Sequence, residues 1–481
     1  MKRSLVFVSW CLTAGCSSLQ TIEPNPVSEA PEQFVNQGVL ESMHATGRSE
    51  ADSVVDVRWW EGFRDPTLND LVERGLNGNF DIAVAAANVQ QAQANLDLTN
   101  TRDDLLAELN ASATSRNNNR DGNGSTVAGG RNDQNNTVLL GLSVVLPVDL
   151  AGRNPFEVQA SALNLMAVQA DLRGRLIGVS TDIAQEYLRL RGNQKQMSML
   201  KDSLALQQET LRIVQVRFES GLAPELDVRR AETAVENLRA RVPLLAQSQQ
   251  ASVNRLATLT GQFPASLSTL LDQPAALPVY DASIPNRLPL RVLQTRPDVQ
   301  SAQARLLQAA AQLGVAQANF YPSLNLMANL QFGSALGGSN PAASMFLSSL
   351  TAMLNQVIYD GGAKNAEREI ARAQMQARLA DYEQVLRVAV QEVEDTLFNL
   401  GSSLERQAAL GSAVKSSRRS FQQADSLYQL GLVSFLDVVD AQRVSAEAEQ
   451  ALAAEQTNHA ILVARLFRAL GIQAGTQPVV D

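Results

Sequence analysis

The chain has 481 residues, 45% of them hydrophobic but only 5% aromatic, and a formal net charge of −9. That length leaves room for a large core, and the Ala, Leu, Gln, Glu and Arg that fill long stretches are the mixture of long helices and coiled coils. An acidic chain without a basic stripe argues against a nucleic-acid partner, which calls for positive charge to offset phosphate. Only two cysteines occur, Cys11 and Cys16, so neither a disulfide framework nor a cysteine metal site is available to the body of the chain.

At the N-terminus Lys2 and Arg3 precede an apolar run from Leu5 to Leu12, then Thr13, Ala14, Gly15 and Cys16. This reads as an export signal over residues 1–15, too short to span a bilayer. Small residues directly before a cysteine resemble a bacterial lipoprotein cleavage box, which implies that Cys16 becomes the first residue and carries a covalent lipid. Thr13 departs from that pattern, which prefers Leu there, and the other reading is an ordinary secretory signal with an incidental cysteine. Ser17 in place of Asp implies, by the same resemblance, outer-membrane sorting. Pro24, Pro26 and Pro31 then mark an extended leader over 16–65.

A proline-free helical stretch follows from Leu68 to Arg102. The period then changes: Ala107, Leu109, Ala111 and Ala113 alternate with Glu108, Asn110, Ser112 and Thr114, the two-residue repeat of a strand with one apolar face. A segment from Arg116 to Asn136, crowded with Asn, Gly and Arg, reads as a solvated loop. Val138, Leu140, Leu142, Val144 and Leu146 form a second strand, with Pro147 as its expected end. From Pro155 to Pro224 there is no proline, and Leu172, Leu176, Val179, Ile183, Tyr187 and Leu190 recur at helical steps. At 1.5 Å per residue such a helix reaches on the order of 100 Å.

The series then repeats. Pro297, Asp298, Val299, Ala302, Ala304 and Leu306 open a helix running to Phe320. Leu324, Leu326, Ala328, Leu330 and Phe332 alternate as a third strand, Gly337 and Gly338 mark a turn, and Phe346, Leu350, Ala352 and Leu354 form a fourth. Leu379, Tyr382, Leu386, Ala389, Val393, Leu397 and Leu400 then lie on a near-heptad seam. At the two helix-helix turns Phe218-Glu219-Ser220-Gly221-Leu222 with Leu226-Asp227-Val228 matches Tyr428-Gln429-Leu430-Gly431-Leu432 with Leu436-Asp437-Val438 at one constant offset. The expected organisation is a duplicated helix-strand-strand-helix unit: a first repeat over 66–265, a linker over 266–295, a second repeat over 296–472 and a tail over 473–481.

Four amphipathic strands of about ten residues have the length and pattern of outer-membrane barrel strands, yet are too few to close. Open sheet edges in hydrocarbon leave backbone groups unsatisfied, so other chains must complete the barrel. The predicted fold class is therefore mainly α with a small membrane β-barrel, three protomers contributing about twelve strands above long helices that continue the tube away from the membrane.

At this point the residues resemble the TolC-like outer-membrane efflux factors, and more closely their lipoprotein, NodT-type branch. The carriers are Trp59-Trp60, Phe63, Asp65-Pro66, Leu68, Leu71-Val72 and Asn79, then Arg296-Pro297-Asp298, Tyr321 to Leu324, and Tyr359-Asp360-Gly361-Gly362. Ala107 departs from the pattern, which often has proline there. The resemblance implies a homotrimer in the outer membrane whose long helical barrel is periplasmic and docks onto a periplasmic adaptor and an inner-membrane efflux transporter. It implies a passive duct for small molecules, with no chemistry and no cofactor beyond the lipid on Cys16.

The resemblance also implies roles at the helix tips. Residues matching Asp437 and Asp440 form carboxylate rings at the periplasmic constriction, where like charges favour cations; the alternative is helix capping by Asp437 with Ser434 and the helix dipole. Asp227 and Tyr428 match positions that hold adjacent helix pairs shut. The arginine partner of that lock is replaced by Val433, with Arg229 or Arg230 as substitutes. Gly221 and Gly431 suit the tight turns sterically, and with Leu222 and Leu432 they match the adaptor-docking tips. Trp59, Trp60 and Phe63 read as core anchors, and His44 and His459 as incidental. Gly361, Gly362 and Lys364 lack P-loop spacing. The rival reading is a lipid-anchored periplasmic adaptor, which has one hairpin and no doubled strands. No set of nucleophile, base and orienting group points to an enzyme.

Overall fold

The computed structural model describes residues 34–36, 38–39, 58–118, 133–282, 294–336 and 343–472. Cys16 with the signal and leader, His44, Gly337 and Gly338, and the tail from 473 lie outside the described residues. In order come a 3-10 turn Trp59–Phe63, α1 Pro66–Gly78, α2 Phe80–Asn100, β1 Leu106–Asn118, β2 Asp133–Val148, α3 Arg153–Glu219, α4 Glu225–Leu259 and α5 Pro264–Leu271. The second series is α6 Pro297–Ala318, β3 Ser323–Leu336, β4 Ala343–Asn355, α7 Ala363–Gln429 and α8 Phe435–Ala469.

The duplication is most regular in the helices. α3 and α7 each have 67 residues and α4 and α8 each have 35. Each second-copy start lies 210 residues after its partner, 363 against 153 and 435 against 225. The offset lapses in the sheet, where β3 starts 217 residues after β1, 323 against 106. Among the described residues no helix is long and apolar enough to cross a membrane.

Three expectations need correction. The stretch from Leu68 to Arg102 is two helices broken at Asn79, because the Asn79 side chain accepts from the backbone N–H of Asp81 at 2.9 Å and of Ile82 at 3.2 Å and so starts α2 afresh. The polar segment after Arg116 is shorter than its composition suggests: β1 runs to Asn118 and β2 starts at Asp133. Backbone pairing carries these polar ends, since the ladder does not depend on an apolar side chain at every position. Pro147 does not end β2. It pairs with Asn325 on the β3 side, while the β1 ladder stops at Val145, so the missing N–H falls where only one neighbour exists.

The chain forms two compact units that cut across the duplication. The first comprises Gln90–Ala167 and Gln303–Asp381 and holds an antiparallel sheet in the order β1-β2-β3-β4, so the two repeats join through β2 and β3. Its helices pack through Ala160, Leu163 and Ala311, with Thr99 and Ser161 hydroxyls 3.0 Å apart.

The second unit comprises Val27–Val89, Val168–Ala302 and Tyr382–Asp481. Its core is aromatic at one focus: Trp59 stacks on Phe467 at 5.0 Å, and Tyr280 packs against both Phe63 and Phe467. Trp59, Trp60 and Phe63 are buried, as the anchor reading expects. Leu386, Ala389, Val393, Leu397 and Leu400 of the predicted seam are buried as well.

In this unit each repeat is closed by a clamp between its start and its end. Asn79 Nδ2 donates to the Leu259 carbonyl at 2.8 Å. In copy two, Arg296 donates to the Ala469 carbonyl at 2.8 Å, and 469 stands to 259 as 435 does to 225 in the starts of α8 and α4. Buried Arg296 also bonds Asp298 at 2.6 Å and Glu392 at 2.7 Å. Gly471, at φ +64°, is seated on it, since a Cβ there comes within 3.0 Å of the Arg296 backbone.

Candidate functional site

Two regions carry the features that function requires. In the sheet, register decides what each face presents. Leu109 faces Leu142, Leu142 faces Leu330, and Phe332 faces Phe346 with their rings 4.8 Å apart. These residues, with Leu140, Ala328, Leu326, Leu350 and Leu354, make one apolar face across all four strands, because side chains directly opposite share a face. Most of it is solvent-exposed in the single chain, Leu350 by 84% and Leu109 by 69%. The other face carries Glu108, Asn110, Ser112, Ser143, Asn329, Gln331, Ser349 and Thr351. Among the described residues β1 and β4 each have one paired side and one free edge.

Aromatic residues flank the strand ends where Ser323 pairs with Asn355. Tyr321 precedes β3 and Tyr359 follows β4, the latter 89% exposed. Next to it the Gly361-Gly362 turn has a structural explanation. The Asp360 carboxylate accepts from the backbone N–H of Gly362 and Lys364 at 2.8 Å each and thereby starts α7. Those bonds, to Lys364 and then Gly362, hold its pKa below the ordinary aspartate value.

The second region is the pair of helix tips. α3 ends in a turn where Leu222 N–H donates to Arg217 O at 2.7 Å and Gly221 N–H to Phe218 O at 2.8 Å. α7 repeats it with Leu432 to Leu427 and Gly431 to Tyr428, both at 2.9 Å. This double bond pattern requires a left-handed residue, and Gly221 and Gly431 supply φ of +76° and +75° with open space around a built Cβ. Only the backbone angle therefore demands glycine. Gly431→Ala is expected to destabilise by about 1 kcal/mol, measured as a lowered thermal midpoint, with Gly431→Asn milder. Leu222 and Leu432 project from these turns, 71% and 68% exposed.

The acids at the tips separate. The Asp437 carboxylate accepts from the Ser434 backbone N–H at 2.9 Å and its hydroxyl at 2.8 Å, completing a capping box at the start of α8. Asp440, one turn on, is paired only with exposed Arg443 of its own helix at 2.7 Å among the described residues. Asp227 pairs with Arg230 at 3.7 Å, whereas Arg229 is engaged by Glu225 and Glu232. Between Asp227 and Tyr428 there is no hydrogen bond among the described residues. Tyr428 instead sits under the guanidinium of Arg217, 4.7 Å from the ring centroid, and against Phe435 at 5.7 Å. Burial, with Asp227 adding to it and Arg217 opposing, raises the Tyr428 hydroxyl above its ordinary pKa.

Arg217 and Phe435 were not among the residues expected from sequence. Phe435 anchors a small cluster with Val214, Val228 and Ala231, which ties the start of α8 to α3 and α4. The signal for Arg217 is a break in the duplication, where copy one has Arg217 and copy two has Leu427.

The sequence of this chain matches the family described as outer membrane efflux protein over residues 71–262 and 288–472. The chain belongs to that family. Both repeats are covered, which sets the adaptor reading aside. The pyoverdine export outer membrane protein OpmQ of Pseudomonas aeruginosa is 31% identical over 486 residues, covering 98% of this chain and 96% of that protein. Nodulation protein T of Rhizobium leguminosarum bv. trifolii is 26% identical with 97% and 96% covered, in keeping with the NodT-type resemblance. Among solved structures the outer-membrane channel OprN matches with a TM-score of 0.83 at 29% identity, over 95% of this chain and 100% of that one. This family member is thus the outer-membrane channel component of an efflux system, with the TolC-like fold.

Proposed function

We propose that three copies of this chain close one twelve-stranded barrel, that a lipid on Cys16 anchors each, and that the duct receives small molecules from an inner-membrane transporter through a periplasmic adaptor. The observation that carries this reading is the apolar face across β1 to β4 on a sheet with both edges free. Such a face is stable against lipid, and its edges need partner strands there. The aromatic residues flanking β3 and β4 suit a membrane boundary. The cargo follows from the pump: OpmQ is named for pyoverdine export, while this duct takes what its own transporter delivers.

Outer-membrane extraction tests the assembly directly: a trimer that dissociates only on heating supports it, and a monomer in mild detergent overturns it. Leu140→Arg on the apolar face should reduce membrane assembly, costing about 2–4 kcal/mol per strand at mid-depth, whereas Asn329→Asp on the other face should assemble normally. Cys16→Ala should abolish incorporation of a labelled fatty acid, while any barrel that assembles stays embedded in the membrane through its apolar face.

At the tips we assign the constriction to Asp440 ahead of Asp437, because the Asp437 carboxylate is already committed to its helix cap. A ring of Asp440 carboxylates favours cations. Asp440→Asn should weaken cation preference in planar bilayers without loss of stability, while Asp437→Asn should mainly loosen the cap. Leu222 and Leu432 remain the adaptor-docking tips in this reading, since exposed leucines on ordered turns are suited to apolar contact.

A further inference from the structure

We propose that a cavity of about 650 Å³ in the second unit is a binding site for a small organic carboxylate with a short apolar body, held by the Lys195 ammonium with His459 on the wall beside it. The walls are α3, α7, α8 and a strap over 274–280. This inference does not rest on the duct reading, because its test involves no conduction.

The cavity is preformed, since the strap is pinned at both ends. At one end Gln194 Nε2 donates to Leu271 O at 2.7 Å and Arg191 to Gln273 O at 2.8 Å. At the other, Asp281 N–H donates to Gly62 O at 3.0 Å and the Tyr280 ring is wedged between Phe63 and Phe467. Pro274 and Pro278 stiffen the span between.

Its chemistry is one-sided. The Lys195 ammonium has three donors, of which one goes to Gln456 Oε1 at 2.7 Å. Gln407 Nε2 and His459 Nδ1 have no partner but are sealed from the space, so the ammonium is the group that meets a ligand, and other atoms of Gln407 and His459 line the wall. Among the described residues no aspartate or glutamate lines the space. The nearby acid, Glu455, is committed elsewhere, to Ser403 Oγ at 2.5 Å, Arg406 at 3.2 Å and Asn458 at 3.2 Å. Donors without an acceptor charge suit a carboxylate, and Leu277, Val279 and Val463 on the remaining wall suit an apolar body. Burial lowers the His459 pKa, with Glu455 opposing; an anion beside it has the opposite effect and raises it.

The chain has only two histidines, so His44→Gln leaves His459 as a single reporter. With the full-length protein in detergent and labelled histidine, benzoate, benzamide and inorganic phosphate are titrated while the His459 pKa and the thermal midpoint are followed. Benzoate at millimolar concentration is expected to raise both, benzamide neither. Lys195→Met should weaken benzoate by about tenfold, whereas Lys201→Met, exposed on the same helix, should not. A silent His459 with benzoate, equal binding of benzamide, tighter binding of phosphate, or an unchanged affinity in Lys195→Met each overturns the assignment.

Discussion

Arg296→Met is expected to lower the stability of the helical unit by about 3 kcal/mol. The guanidinium is only 6% exposed, while Asp298 and Glu392 are 48% and 52% exposed. Removing the cation therefore lets both carboxylates return to water, which keeps the cost below that of a fully buried pair. What cannot be recovered is the bond to the Ala469 carbonyl, together with the packing of the side chain beneath Gly471. Burial alone pulls the Arg296 pKa down, but Asp298 and Glu392 outweigh it and raise it, so no accessible pH removes the charge. Arg296→Lys should fall between, because one ammonium cannot match the fork that reaches two acids and a carbonyl. Asn79→Ala, which removes a neutral clamp and a cap, should cost about 1–2 kcal/mol. Thermal unfolding followed by circular dichroism measures all three; a loss under about 1 kcal/mol for Arg296→Met, the level of an exposed pair, would falsify the clamp.

That clamp marks the boundary of what the chain discloses before folding. The long helices were legible because proline is absent and leucines recur at helical steps, and the strand faces because period two is unmistakable from Leu324 to Phe332. Register then followed the apolar face, as it must where one side is buried in a single kind of medium. Asn79 and Arg296 stood out only as motif letters. Their work is done on carbonyls 180 and 173 positions away, and no local pattern encodes such a distance. The break at Asn79 was hidden for a related reason: helical residues continue on both sides, and one side chain turned onto its own backbone makes the interruption. At the tips the family resemblance pointed to both acids and the Ser434 spacing to a cap by Asp437, whereas the pairing of Asp440 with Arg443 on its own helix appeared only in the folded chain.

The tip brace leads to the second large effect. Arg217 over Tyr428 joins the end of α3 to the end of α7, and Phe435 buttresses the same ring from α8, so these contacts hold the two hairpins of one chain together. The resemblance implies an arginine where Val433 stands, and the cation found on Tyr428 is Arg217 of the other repeat. A partly desolvated cation–π contact contributes about 1 kcal/mol. In the proposed trimer, opening that breaks three such contacts together shifts the open-to-closed ratio by about 3 kcal/mol, or roughly a hundredfold. Arg217→Met keeps the stem and removes the charge, so it should raise the open-state occupancy in planar bilayers and admit large hydrophilic antibiotics into cells. Tyr428→Leu should do the same, and the double variant should add little, because both substitutions remove one contact. Arg230→Met serves as the counter-case: it releases Asp227 without touching the ring. If Arg230→Met opens the duct and Arg217→Met does not, the lock lies with Asp227 rather than with the Arg217–Tyr428 stack.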